Sequence, residues 1–210
     1  MLDAIRTPSA APSIRGGLWL ALLATPLLAA CGTTRYRPVS DTPVKIGKPY
    51  TVRGIRYTPA ENPQYDAVGF ASWYGNESGN QTANGERFRP KAVTGAHTTL
   101  PLPSYVEVTA LDTGRTILLR VNDRGPFSRG RILDLSRGAA EQLGIRTQGY
   151  AAVRVRRVDP PEKDRARLRK GKPAPERRRA SETELANLRE RLALESGQPL
   201  RTPPGTRGGQ

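Results

Sequence analysis

Between Gly69 and Val158 the chain alternates apolar and polar residues in short runs punctuated by Gly, Pro, Asn and Asp. No other feature restricts its fold as much. Val106, Val108 and Ala110 alternate with Glu107 and Thr109, and after Asp112-Thr113-Gly114-Arg115 the residues Ile117, Leu119 and Val121 alternate again. A period of two on both sides of a Gly turn predicts a β-hairpin with one buried face. Further strands are expected at Phe70 to Tyr74, Ala92 to Thr94, Ile132 to Leu135 and Ala151 to Val158. One short helix is expected to start at Ser136 as N-cap and to stop before Gly144, burying Ala139, Ala140 and Leu143. About 90 residues of short strands with a single helix predict a mainly β fold, a small closed barrel rather than a two-layer α/β sheet.

The flanks read differently. Gly32 to about Pro43 carries Thr, Arg, Pro and Ser in the manner of a tether, and Tyr50 to Tyr57 predicts a two-stranded arm turning at Gly54. Residues 31–68 thus form a tether and arm, 69–158 the barrel, and 159–210 a basic tail. From Asp159 to Arg179 charge, Pro and Gly dominate, which predicts disorder. Ser181 with Glu184 makes a capping-box pattern ahead of Leu185, Leu188 and Leu192, so a helix is expected over 181–195. Short and isolated, it is a candidate protein-partner site that folds against a partner or the barrel.

Arg6 and Arg15 precede an apolar run from Leu18 to Ala30, interrupted only by Thr25 and Pro26. That run falls short of the roughly 20 residues a spanning helix needs but suits a signal-peptide apolar region. It ends in Leu28-Ala29-Ala30-Cys31, which resembles a bacterial lipobox. Residues 1–30 are then expected to be removed and Cys31 to be acylated, with each buried methylene of its chains contributing about 0.8 kcal/mol to anchoring. Gly32 lacks the Asp that commonly signals inner-membrane retention. In a diderm host the expected location is therefore the outer membrane, facing the periplasm. Outside the cytoplasm, a net charge of +15 points to acidic polymer or lipid rather than nucleic acid. A single Cys and a single His exclude an internal disulfide and multi-ligand zinc arrangements, and no cofactor is expected.

Three polar clusters in the barrel have no evident packing role: Thr82-Ala83-Asn84-Gly85-Glu86, Thr94 to Pro101 with the only His, and Arg120-Val121-Asn122-Asp123-Arg124-Gly125-Pro126-Phe127. Loops at strand ends of a rigid scaffold are common sites of binding and catalysis. Together with Gly69-Phe70-Ala71-Ser72-Trp73-Tyr74-Gly75 and Gly130-Arg131-Ile132-Leu133-Asp134-Leu135-Ser136, these stretches resemble the rare lipoprotein A (RlpA) family. The resemblance, over about Tyr50 to Val158, implies a six-stranded double-psi β-barrel and the activity of a peptidoglycan lytic transglycosylase. It places the family's essential carboxylates on Glu86 and Asp123 and its site histidine on His97. Many members also carry a C-terminal sporulation-related domain, where this chain has a basic tail.

The reaction suits those residues. Cleaving a β-1,4 glycosidic bond needs a proton for the leaving oxygen and stabilisation of an oxocarbenium-like centre. A lytic transglycosylase uses the muramoyl 6-hydroxyl as nucleophile and leaves a 1,6-anhydro ring. Asp123 is expected to be the acid/base, oriented by His97, with Glu86 across the groove stabilising charge or sharing the proton. Trp73, Tyr74, Asn84, Asn122 and Arg124 are candidate substrate contacts, one of Trp73 and Tyr74 facing inward. Plainer roles stand beside these: Asp123 as a turn former, His97 as a structural histidine, Arg124 paired with Asp123 or Asp134. Non-catalytic glycan binding, as in expansin-like barrels, and hydrolysis are the alternative functions. The Asp112-Thr113-Gly114 triplet resembles that of aspartic proteases, but it sits at a hairpin tip where turn geometry explains it.

Overall fold

The structure is a computed structural model that describes residues 36–75 and 79–196. Cys31, the apolar leader and the Pro/Gly-rich stretch after Ser196 lie outside the described residues. Two short strands, β1 (Tyr50–Val52) and β2 (Ile55–Tyr57), pair antiparallel as the expected arm. Arg53 and Gly54 between them both have positive φ, the geometry of the tight hairpin turn that matches strand twist.

The barrel is built from β3 (Asp66–Tyr74), β4 (Thr94–Ala96), β5 (Ser104–Ala110), β6 (Thr116–Asp123), β7 (Arg131–Ser136) and β8 (Tyr150–Arg157). Around the closed barrel they run β3-β7-β4-β6-β5-β8. The β3/β7 and β4/β6 pairs are parallel and the others antiparallel. Closure leaves no strand edge unpaired. Val106, Val108, Leu119, Val121, Leu133, Leu135, Val153 and Val155 fill the interior, each fully buried. The hairpin expected at Asp112–Arg115 is present, with β5 and β6 in register from Ser104↔Val121 to Thr109↔Thr116. Its single buried face is a partial description, because Leu118 and Arg120 on the other face of β6 are also buried. Helices packed on that strand cover them.

The first of these, α1 (Arg137–Leu143), has the predicted caps. Ser136 Oγ accepts from Ala139 N at 3.2 Å, and Gly144 closes the helix at φ 85°. The same hydroxyl accepts from Thr94 N and donates to Ala92 O, so one serine fixes both helix and neighbouring strand. The helix approaches so closely that a Cβ on Gly138 would lie 2.2 Å from Lys91 O.

One expectation is corrected. The 159–179 stretch is ordered and holds a helix, α2 (Glu162–Arg169), ahead of the expected tail helix, α3 (Glu182–Ser196). Composition misjudged this stretch because its charges are paired. Arg177 bridges Asp164 and Glu107, Arg169 meets Asp41, and Leu168 and Ala174 are buried between them. The capping box at Ser181 and Glu184 forms as predicted, and α3 docks by burying Leu185 against the β5–β6 turn at Gly114. The tether is also fastened from Tyr36 onward: Arg37 N donates to Gly85 O at 2.6 Å, and Lys45 exchanges two backbone bonds with Leu102.

Candidate active site

The carboxylate of Glu86 lies at the centre of a closed hydrogen-bond set. The Arg120 guanidinium grips it in a fork, Nη1 to Oε2 and Nη2 to Oε1, both 2.8 Å. Asn122 donates to Oε2 at 2.8 Å and Asn84 to Oε1 at 2.9 Å. Two charge-assisted bonds and two amide bonds satisfy both oxygens. Glu86 and Arg120 are each 1% exposed, and the space beside them is about 20 Å³, room for a water and not for a sugar. Arg120 continues outward to Asp41 of the tether, and Asp41 also takes Tyr105 Oη and Arg169 of α2.

This core determines where Asp123 sits. Glu86 closes the turn through Thr82 N to Glu86 O at 2.9 Å, and Asn84 N donates to Asn122 O at 3.2 Å. The turn then presents Ala83 N to Asp123 Oδ1 at 2.8 Å, and Arg124 N binds the same oxygen at 2.8 Å. Asp123, at the end of β6, is half-buried. Burial raises its pKa, against the two backbone donors and the charge of Arg124, which pull it down. With Oδ1 taking both amide hydrogens, the other oxygen is the one placed to carry a proton.

His97 is fixed elsewhere. Its Nδ1 accepts from Thr99 N and Leu100 N at 3.1 and 3.0 Å, so the hydrogen resides on Nε2, which faces Tyr65 Oη at 2.9 Å. Burial drives its pKa down to about 4, and the ring is neutral at pH 7. The expected orientation of Asp123 by this ring is corrected: His97 reaches Asp123 through its backbone, N to Asp123 O at 3.1 Å. Its ring shapes the 97–100 loop.

Of the candidate substrate contacts, Asn84 and Asn122 lie beneath the surface as ligands of Glu86. Arg124 pairs with neither Asp123 nor Asp134. Its guanidinium donates to the carbonyls of His97, Leu100 and Ile46, tying the loop to the tether. Trp73 is the inward member of its pair, packed on the core with Nε1 on Arg146 O. Tyr74 stacks on Phe88 at 5.0 Å. Sequence reasoning gave no role to Arg120, Asp41 or Arg169. The pairing of Arg120 with Asp41 spans 79 positions, and no local pattern signals it.

The closed six-stranded barrel that carries this site has the architecture of a double-psi β-barrel. Residues 66–155 match the family described as lytic transglycolase. Over the barrel the chain is similar to proteins of the RlpA family. The chain is 49% identical over 129 residues to the endolytic peptidoglycan transglycosylase RlpA of Pseudomonas aeruginosa, covering 60% of this chain and 37% of that one. To the protein of the same name from Neisseria meningitidis it is 44% identical over 144 residues, 64% of this chain and 60% of that one. The chain therefore spans less than two thirds of the length of either relative. Among solved structures, the apo expansin of Clavibacter michiganensis aligns at 18% identity with a TM-score of 0.37, over 46% of this chain and 52% of that one.

Proposed function

We propose that this chain is an endolytic peptidoglycan lytic transglycosylase. In this reading it cleaves the β-1,4 bond between N-acetylmuramic acid and N-acetylglucosamine and leaves 1,6-anhydro ends. The observation that carries the reading is Asp123: a carboxyl whose proton affinity burial raises, with one oxygen held by two backbone N–H groups and the other left for substrate. It donates its proton to the leaving glycosidic oxygen. Glu86 acts through other groups, its bonds to Arg120, Asn84 and Asn122 holding the turn that aims Ala83 N at Asp123. The names of the relatives support the substrate class. Anchoring through an acylated Cys31 at the outer membrane, with the barrel in the periplasm, completes the proposal, supported by the leader pattern before that residue.

Digestion of purified sacculi tests the activity. Wild type is expected to release anhydro-muropeptides, and Asp123→Asn to lower the rate by about 100-fold or more. Products with reducing ends would instead identify a hydrolase, and binding without release a glycan-binding module. Incorporation of an alkyne-tagged fatty acid, lost in Cys31→Ala, tests the anchor.

A further inference from the structure

The β1–β2 arm carries chemistry that its packing does not use. Between Asp41 and Glu61 the chain has the cations Lys45, Lys48, Arg53 and Arg56 and no Asp or Glu. Each of these cations is exposed. The two flanking acids are engaged elsewhere, Asp41 with Arg120 and Arg169 and Glu61 with Arg157, and among the described residues no ion pair reaches the arm's cations. On the barrel wall the opposite holds: Arg154, Arg156 and Arg177 each meet a carboxylate. Apolar side chains stand out here as well. Val44, Ile46 and Ile55 are 51%, 42% and 39% exposed, three of the five large apolar residues so exposed among those described.

The root of the arm is fastened to the loops around Asp123. Tyr50 Oη donates to Thr98 O at 2.8 Å, and Arg124, the neighbour of Asp123, donates to Ile46 O at 2.9 Å. Tyr50 pairs with Tyr57 and Val52 with Ile55, so these side chains share one face of the arm. Tyr50 and Tyr57 stack at 5.3 Å, and both meet Phe127 of the loop after Asp123, at 6.1 and 5.7 Å. The tip is free of such contacts: a Cβ on Gly54 would meet nothing within 4 Å. Packing therefore accounts for the aromatic root and leaves the tip, with Arg53, Ile55 and Arg56, unexplained.

We infer that the β1–β2 arm is a second contact for the glycan strand, in which Lys48, Arg53 and Arg56 meet carboxylates of the polymer and Ile55 with Tyr57 covers a sugar face. This rests on the transglycosylase reading and adds to it a binding site that lies outside the barrel. The polymer of that reading carries carboxylates on its peptide stems, and on the muramoyl lactyl groups where a stem is missing. A surface of unpaired cations is complementary to either, and such complementarity steers and orients a long anionic strand. A lipid surface would suit the same cations. The glycan is favoured by continuity: the root of the arm is bonded to the 97–100 and 124–127 loops, so whatever the arm holds lies beside Asp123. Binding energy gathered there, away from the bond that breaks, helps to hold the reacting sugar in place.

The test measures sacculus binding by sedimentation on ice, with full chains. The arm variant combines Lys48→Gln, Arg53→Gln and Arg56→Gln. Its control combines Lys163→Gln, Lys170→Gln and Lys172→Gln, which removes the same charge from exposed residues on the other flank. At low salt the arm variant is expected to bind about tenfold more weakly than wild type, the usual worth of three exposed ion pairs, and the control to stay within about twofold. In about 0.5 M salt the difference should vanish by screening. Arg53→Lys with Arg56→Lys, which keeps the charge, should retain most of the binding. Soluble stem-free glycan strands added as competitor separate the two carboxylate sources: displacement assigns the contact to lactyl groups, and its absence assigns it to stems. An arm variant within about twofold of wild type at low salt, a control that loses as much, or a loss that persists at high salt overturns the inference. So does unchanged sacculus binding with a loss on phosphatidylglycerol vesicles, which would make the arm a lipid contact. Release of anhydro ends from the same sacculi is read separately, and its absence in wild type overturns the transglycosylase reading while the binding comparison still decides the arm.

Discussion

Replacing Arg120 by Met tests whether the site is organised from beneath. Arg120 and Glu86 are each 1% exposed and joined by two 2.8 Å bonds. Removing the cation leaves the Glu86 carboxylate with only the Asn84 and Asn122 amides, and deprives Asp41 and the Ser40 carbonyl of a donor. Removing one partner of a buried pair costs about 3–5 kcal/mol, a large part of a domain stability of about 5–15 kcal/mol. For a chain of this size that lowers Tm by on the order of 10 °C. Glu86→Leu is expected to cost less, because Arg120 keeps Asp41 and Ser40 O. Combined, Glu86→Leu and Arg120→Met should cost at least about 2 kcal/mol less than the two singles added, since no unpaired charge then remains between them. Urea unfolding at pH 7 followed by circular dichroism reads all three. Additivity within about 0.5 kcal/mol, or a cost below about 1 kcal/mol for Arg120→Met, would refute the view that Glu86 and Arg120 act as one unit.

Burial lowers the His97 pKa from 6.5 to about 4, so the unfolded chain takes up the proton more readily. Stability is therefore fully present above about pH 6.5 and falls by about 3 kcal/mol as pH drops toward 4. In His97→Gln that slope should flatten, and an unchanged slope in urea titrations at several pH values would contradict the assignment. Gly138→Ala sets a Cβ against Lys91 O at 2.2 Å, where only backbone can give way, and should cost about 1–3 kcal/mol in the same unfolding assay. A cost near zero would mean that α1 can back away from the 91–92 segment.

Local chemistry was readable and long-range pairing was not. Ser136 and Gly144 bound α1 where their side chain and φ require, and the Ser181–Glu184 box starts α3, because caps act over three or four residues. The alternation around Asp112–Arg115 gives β5 and β6 for the same reason. Composition failed at 159–179 because it registers charge without partners, and here Arg169 and Arg177 meet Asp41, Asp164 and Glu107. At the site, the motifs led to Asp123 and to the loops that hold it. They could not tell a half-buried carboxyl from one sealed beneath the surface, and Glu86 is the sealed one.

The fastening of the tether also has a mechanical side. Tension along the chain from the N-terminal direction meets the barrel at Arg37 and Asp41 before it reaches any strand. Arg37 grips Asn84 and Gly85, and Asp41 grips Arg120, so the pull is delivered to the turn that supports Asp123. Arg169 of α2 holds the same Asp41 from the C-terminal side. The two flanks thus share one mooring point, and a tug that loosened it would slacken the turn that holds Asp123 before it strained the barrel wall.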